Sequence, residues 1–133
     1  MKISTKSRYG IRAIAFLTKE NKCCSVREIS QKEHIPFEYL EKIFSKLKKA
    51  GLLSVKRGVS GGYSLSRDPK DISIGQVVQA LDGKFNPVQC TDGQFQCPQS
   101  CGCLAQKMWH KIQTAFISTL DSISLSSLIK DND

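Results

Sequence analysis

The chain of 133 residues is 40% hydrophobic and 24% charged, which is typical of a single globular domain and excludes a wholly disordered protein. No apolar run reaches the roughly 18–20 residues of a membrane helix, and the first residues lack the pattern of a secretory signal. The formal charge of +8 is concentrated in residues 1–70, which carry 16 Lys and Arg against 6 Asp and Glu. So basic a half predicts a polyanionic partner, most simply nucleic acid, the alternative being a solvated basic surface without a partner. No membrane partner is expected, because the sequence has no apolar run long enough for a membrane helix.

Three helices are predicted in the first 51 residues. Apolar residues at helical spacing predict a helix over Thr5–Glu20. Ser25 begins a capping box that opens a second helix at about Val26–Glu33, and Pro36 suits the first position of a third helix. Gly51 should end that helix in the left-handed conformation. The second and third helices, joined by about four residues, are typical of a helix-turn-helix.

A β-hairpin is predicted next. Apolar and polar residues alternate over Leu53–Val55 and over Tyr63–Leu65, as they do in strands. The glycine-rich segment Lys56–Gly62 between them carries two positive charges. A hairpin that follows a helix-turn-helix predicts a wing. A phosphate-binding loop of a nucleotide enzyme is disfavoured, because neither its strand–loop–helix context nor its Gly-Lys-Ser/Thr ending is present.

The second half of the chain begins and ends with helices. Ser73 can cap a fourth helix, residues 82–102 lose the helical pattern, and Leu104–Leu120 is predicted to be a long helix followed by a short apolar tail. The apolar residues of this long helix are expected to form one stripe along its side: Leu104, Met108, Ile112, Ala115, Phe116 and Leu120. The apolar surface of these helices exceeds what one small domain needs. We therefore expect the long helix to pair with its copy in a homodimer, the alternative being that it folds back on its own domain.

The predicted fold class is mainly α with a small β-hairpin. We expect a winged helix-turn-helix DNA-binding domain at 1–81, a cysteine-rich loop at 82–103, and a dimerisation helix with its tail at 104–133, all within a single structural unit.

Four cysteines of the loop lie within 14 residues: Cys90, Cys97, Cys101 and Cys103. Because the sequence lacks an export signal, its six cysteines indicate a cytoplasmic protein in which thiols serve metal or redox chemistry. Four clustered thiolates favour an iron–sulphur centre, whereas the spacing lacks the Cys pairs of usual structural zinc sites. Zinc and a metal-free thiol switch remain alternatives.

Other reactive side chains give no case for an enzyme. Cys23 and Cys24 are interpreted as small, partly buried residues without a ligand role, and His34 as a polar turn residue. His110 lies near enough to the cysteine loop in sequence to be a further ligand, although a surface role is expected. Two distant histidines without a nucleophile motif do not make a hydrolase triad, so no catalytic residue is predicted.

Almost the whole chain resembles the IscR-like (Rrf-two) family of bacterial winged-helix regulators. The motifs that carry the resemblance are Met1–Tyr9, Tyr39–Phe44 with Leu47–Leu52, Val55–Tyr63, and the cysteine loop ending in Cys103–Trp109. The resemblance implies a dimeric regulator, expected to be a repressor, whose binding to a double-stranded DNA operator is switched by an iron–sulphur cluster that senses iron–sulphur status, redox state, oxygen or nitric oxide. We expect [2Fe–2S], with [4Fe–4S] as the alternative.

The family's cysteine ligands correspond to Cys90, Cys97 and Cys103, but its fourth ligand does not transfer. Where the iron–sulphur biogenesis regulators have a histidine, this chain has Gln106, and where nitric-oxide sensors have an aspartate near the N-terminus it has Arg8. Cys101 is therefore the expected fourth ligand, with Gln106 or His110 as alternatives.

The expected DNA contacts lie on the third helix and the wing. Glu38, Glu41 and Lys42 are predicted to reach base edges. The residues predicted to contact phosphates or the minor groove are Lys46, Lys48, Lys49, Lys56, Arg57, Ser60 and Gly61. The rival hypotheses are the same DNA-binding regulator sensing through zinc or thiol oxidation, and a cluster or redox protein that does not bind DNA.

Overall fold

A computed structural model describes residues 3–93, 97–99 and 102–130 of the chain. Its helices and strands are α1 (Thr5–Glu20), α2 (Val26–Glu33), α3 (Phe37–Lys49), β1 (Leu53–Lys56), β2 (Gly62–Leu65), α4 (Ile74–Asp82), α5 (Leu104–Ser122) and α6 (Leu125–Lys130). Single 3-10 turns occur at Pro69–Asp71 and Gln89–Thr91. The structure confirms the predicted fold class, a mainly helical winged helix-turn-helix with one hairpin. Within the described ranges, no helix combines the length and apolar character needed to cross a bilayer.

Side chains and glycines at the helix ends explain where the elements start and stop. The Ser25 hydroxyl accepts a hydrogen bond from the N–H of Glu28 at 3.1 Å, as predicted, and the full reciprocal capping box forms at Ser73 and Gln76. After α3, Gly51 has φ +80°, the left-handed conformation expected there. The prediction for Pro36 was one residue off: its ψ of 131° is extended, so Pro36 caps α3 and the helix begins after it.

One apolar core joins α1 to α4 with the first strand and the last helix. Its buried members are drawn from every one of these elements: Ala13, Ile14, Leu17, Ile29, Leu40, Ile43, Phe44, Leu47, Leu53, Val77 and Leu125. The end of the chain returns to this core through backbone hydrogen bonds, with Ile74 N–H donating to Ile123 O at 2.8 Å and Leu125 N–H to Ile72 O at 2.9 Å. The apolar tail predicted after α5 is therefore part of the same core, through Leu125 of α6.

The wing is a two-stranded antiparallel sheet, in which Leu53 lies opposite Leu65 and Lys56 opposite Gly62. Its second strand also pairs with the turn before α2, because Cys24 and Tyr63 exchange backbone hydrogen bonds of 2.9 and 2.7 Å. A side chain at Gly62 would collide with the carbonyl oxygen of Cys24, so glycine permits this close approach. The ring of Tyr63 packs edge-on against Phe44 of α3, with centroids 5.0 Å apart. The wing is thereby fixed to the helix-turn-helix from two sides.

Candidate nucleic-acid interface and cysteine segment

Helix α3 has an apolar face and, on its opposite side, a polar face. Leu40, Ile43, Phe44 and Leu47 are buried in the core. On the opposite side, residues at spacings of three, four, seven and eleven form one exposed stripe: Glu38, Glu41, Lys42, Ser45 and Lys49. The stripe contains the three predicted base-contacting residues and adds Ser45, which the sequence analysis did not select.

A second group of positive charge lies beside α3. Lys6, in the first turn of α1, lies next to Lys46, and the close approach of the two amino groups and the repulsion between their charges lower the pKa of Lys46. Two adjacent cations form a favourable place for an anion such as a phosphate. Sequence analysis missed Lys6, because only the packing of α1 brings it beside α3; its one signal was the basic N-terminal stretch.

The start of α1 is fixed to the end of α4 by Asp82. The carboxylate of Asp82 accepts hydrogen bonds from the hydroxyl of Ser4 and, at 2.8 Å, from that of Ser7. Burial opposes ionisation of this carboxyl, but the hydrogen bonds from Ser4 and Ser7 and the charge of Lys6 outweigh it, so the pKa of Asp82 is below its ordinary value. Asp82 thus holds the turn that carries Lys6.

The wing presents the remaining predicted contacts. Lys56, Arg57 and Ser60 are exposed and Gly61 is half-buried, while a backbone hydrogen bond of 3.0 Å from Gly61 N–H to Gly58 O closes the tip. Two cations on a closed, narrow hairpin match the shape and charge required for contact with phosphates or with a minor groove.

The described cysteines of the loop occur at separate structural positions. Cys90 lies in the 3-10 turn Gln89–Thr91, Cys103 caps the start of α5, and Cys97 lies between them; all three are half-buried free thiols. The prediction for Cys101 falls outside the described residues. Of the other suggested ligands, Gln106 is half-buried and His110 exposed, both on α5.

The donor chemistry of this segment suits a thiolate-bound metal, but no assembled site is found in the described ranges. Among residues 3–93, 97–99 and 102–130, no three His, Cys, Asp or Glu side chains are grouped closely enough to hold a metal ion. The ligand set therefore stays a prediction.

Cys24 has a structural role. It is buried, and burial followed by the charge of Glu28 raises the pKa of the Cys24 thiol. A buried thiol of raised pKa is a poor nucleophile and a poor metal ligand, which agrees with the sequence interpretation.

One apolar face of helix α5 is exposed along the first half of the helix. The exposed fractions are 92% for Leu104, 47% for Met108 and 36% for Ile112, which lie on one face at spacings of four. Toward the end of the helix, Phe116 stacks on Phe85 and Leu120 packs against the core. The predicted apolar stripe is thus divided, with its second half covered by the chain's own domain.

Sequence comparison matches residues 3–131 to the profile of the Rrf2 family, described as "Iron-dependent Transcriptional regulator". A relative named HTH-type transcriptional regulator IscR, from Aliivibrio salmonicida, is 36% identical to this chain. The alignment covers 100% of this chain and 80% of the relative.

Two solved structures extend the match to three dimensions. The IscR of T. potens has a TM-score of 0.81 at 30% identity, covering 100% of this chain and 89% of its own. CymR of B. subtilis, titled the global cysteine regulator, has a TM-score of 0.82 at 32% identity, covering 100% and 99%.

Proposed function

The chain belongs to the Rrf2 family of transcriptional regulators, and from that premise we propose that it is a dimeric, sequence-specific DNA-binding repressor whose cysteine segment sets its affinity for an operator. The observation that carries the DNA-binding part is the exposed polar stripe of α3 beside a basic wing, both fixed to one core. Such a body presents a helix to the major groove and a hairpin to an adjacent groove. Its target is DNA in the cytoplasm, and it has no catalytic role.

The division of labour on DNA follows from charge and position. Glu38, Glu41 and Lys42 face outward in the first half of α3, where carboxylates can accept hydrogen bonds from cytosine N4 and an ammonium group can donate to guanine. The surrounding cations bind the phosphates and fix the register of the protein on the duplex: Lys46, Lys48, Lys49, Lys56 and Arg57, together with Lys6, which the structure adds. Ser60 and Gly61 contact the DNA backbone at the wing tip.

Two substitutions test this division on duplexes selected from a random library by the wild-type protein. Glu41→Ala should change the selected sequence and relax discrimination at one base pair by about tenfold. Lys48→Ala should weaken selected and random duplexes alike and lower the salt slope by about one. Equal losses of Glu41→Ala on selected and random DNA would remove Glu41 as a base-reading residue. Failure of the wild type to enrich any sequence would refute the DNA-binding function.

Dimerisation is proposed to use the exposed half of α5. Leu104, Met108 and Ile112 form an apolar ridge in the first half of the helix, away from the core. Pairing of two such ridges removes them from water and places two α3 helices on successive half-sites, as a symmetric dimer requires.

The switch is proposed to be an iron–sulphur cluster held by Cys90, Cys97 and Cys103, with Cys101, Gln106 or His110 as fourth ligand. Half-buried free thiols support the proposal, as does the description of the Rrf2 family as iron-dependent transcriptional regulators. When bound, such a group supplies redox and ligand-exchange chemistry. We favour [2Fe–2S] over [4Fe–4S]. The chain itself presents the thiolates next to α5. A change in their ligation or oxidation would therefore alter the position of the apolar ridge on that helix.

Direct thiol sensing is the second candidate, and one observation favours it specifically. The solved structure of CymR, titled a global cysteine regulator, covers this whole chain at 32% identity. In that case the cysteines would act without iron, by oxidation or mixed-disulfide formation with an oxidant or a small disulfide. A zinc site with the same ligands is the remaining variant.

Anaerobic purification followed by assays of iron, sulphide, zinc and free thiols separates these candidates. Iron and sulphide in equal amounts support the cluster, and the number of irons per chain distinguishes [2Fe–2S] from [4Fe–4S]. A colourless protein with one zinc, or with reactive thiols and no metal, would refute the cluster and leave the DNA-binding function intact.

A further inference from the structure

Gln113 is a buried polar side chain on a helix that is otherwise in contact with solvent. It is the one buried residue of α5, all of whose residues are described, and only 8% of it is exposed. A buried amide is strongly unfavourable unless its donors and acceptor are hydrogen-bonded, so its partners show what this position is for.

Those partners all belong to the segment that enters the cysteine loop. The side-chain amide nitrogen of Gln113 donates to the carbonyl oxygen of Phe85 at 2.8 Å and to that of Thr91 at 3.4 Å. It also lies 2.7 Å from the side-chain amide of Asn86. Gln113 thus joins both ends of a seven-residue stretch to one point on α5.

Cys90 lies inside the stretch that Gln113 holds. It is the central residue of the 3-10 turn Gln89–Thr91, directly before Thr91. Thr91 is itself buried, and its hydroxyl donates to the carbonyl oxygen of Val88 at 2.8 Å, which fixes the turn around the cysteine. The backbone that carries Cys90 is therefore held in place by the attachment of Thr91 to α5.

A ring contact supports the same attachment one turn further along. Phe85 stacks on Phe116 with centroids 4.0 Å apart and an interplanar angle of 26°. Cys103, at the other end of the loop, caps the start of α5. Cys103 and Gln113 therefore bracket about 15 Å of helix, which is the half that carries the exposed ridge of Leu104, Met108 and Ile112.

We propose that Gln113 is a positioning residue that fixes Cys90 on α5, and that it is the connection through which a change at that thiol reaches the exposed half of the helix. The second part rests on the proposed function, since its consequence is a change in DNA affinity. The first part concerns only this chain's own contacts and needs neither metal nor DNA.

Thiol reactivity tests the positioning role in the full-length, reduced protein with metal chelated. Gln113→Met keeps the size of the side chain and removes its hydrogen bonds, so Cys90 should react with N-ethylmaleimide about tenfold faster, measured by peptide mass spectrometry. Cys23, in the turn before α2, should keep its rate. Thr114→Val, an exposed neighbour on the same helix, should change neither rate.

An unchanged Cys90 rate in Gln113→Met would overturn the proposal. So would an equal rise at Cys23 and Cys24, because it would mean that the whole domain opens more readily. If Gln113→Met does not fold, Gln113→Asn provides the same comparison, because the shorter amide keeps its donors but does not reach the carbonyl oxygens of Phe85 and Thr91.

A double-mutant cycle tests the connection to DNA binding, with affinities measured on a duplex selected by the wild type. Cys90→Ser, introduced into the wild-type protein, should change the affinity for this duplex. Introduced into the Gln113→Met variant, the same substitution should change the affinity by a factor that is smaller by about threefold or more. Additive effects, or no effect of Cys90→Ser, would overturn the connection. If the wild type binds no selected duplex, the proposed function fails, while the reactivity result still decides the role of Gln113.

Discussion

The winged-helix part of this protein and its cysteine segment are held in place in different ways. The winged part has a continuous apolar core in which the side chains of Leu40, Phe44 and Val77 are fully buried. The segment between α4 and α5 contributes one buried residue to the described structure, Thr91, and is attached through Gln113 and one ring stack. A region with few apolar contacts and a few polar attachments opens at low free energy, which is what the proposed sensing role of this segment requires.

Removing a core side chain should show the largest difference between the two regions. Phe44→Ala deletes a fully buried ring that contacts Tyr63 and should lower the free energy of unfolding by about 3–5 kcal/mol. Leu104→Ala, at a highly exposed position of α5, should change the free energy of unfolding of the monomer by less than about 0.5 kcal/mol. Urea unfolding at low protein concentration measures both. Similar losses in the two variants would show that the start of α5, where the cysteine segment ends, is packed as firmly as the core.

The next largest effect is expected at the exposed ridge of α5. Met108→Glu places a charge where the proposed dimer removes apolar surface from water, so association should weaken by about 100-fold or more. Ser118→Glu, exposed later on the same helix, is the control and should leave association unchanged. Analytical ultracentrifugation gives the dissociation constants. A dimer unaffected by Met108→Glu would place the interface elsewhere.

A smaller effect is expected from Lys6. Lys6→Met removes one of two adjacent ammonium groups, so affinity for DNA should fall about three- to tenfold and the salt slope by about one. Fluorescence anisotropy at several salt concentrations checks this. The control Lys130→Met removes the same charge from α6 and should affect neither quantity. Matching losses in both variants would mean that net charge alone, rather than this pair, governs binding.

The smallest effect concerns pH. Because the pKa of Asp82 is lower in the folded chain than in the unfolded one, its carboxylate stabilises the fold above about pH 4, and this contribution is lost as pH falls through the folded-state pKa. Asp82→Asn should lower the melting temperature by a few degrees at pH 7, and the difference from wild type should narrow below pH 4. A difference that stays constant with pH would exclude the charge as its source.

Sequence patterns predicted the winged part almost completely, because the signals that define its helices and strands lie within short stretches of sequence. Caps such as Ser25 and Ser73, the left-handed Gly51 and the alternation in the hairpin act within a few residues, so each is visible in a short stretch. The predicted bounds of α1 and α2 agree with the structure. The error at Pro36 is one residue, which is within the ordinary uncertainty of a helix end.

The remaining features depend on contacts between distant parts of the chain. Lys6 meets Lys46 across 40 positions, and Gln113 meets Phe85 across 28. The periodicity of apolar residues does not predict contacts between residues so far apart in sequence. In the sequence alone, Gln113 cannot be distinguished from an exposed polar residue of the helix, because its burial depends on how the loop packs against α5. The apolar stripe of α5 was predicted as one face, but packing against Phe85 and the core covers only its second half.

The pairing of Cys24 with Tyr63 has a consequence for how the wing can vary. Since the second strand of the hairpin is anchored at Tyr63 by the backbone of the turn before α2, the direction of the hairpin does not depend on the side chains at its tip. Arg57, Val59 and Ser60 can therefore be exchanged to suit a different groove while the angle between wing and α3 stays the same, whereas Gly58, at φ +119°, is kept. Target preference and docking geometry are separable in this fold, so new tips can be tried on an unchanged frame.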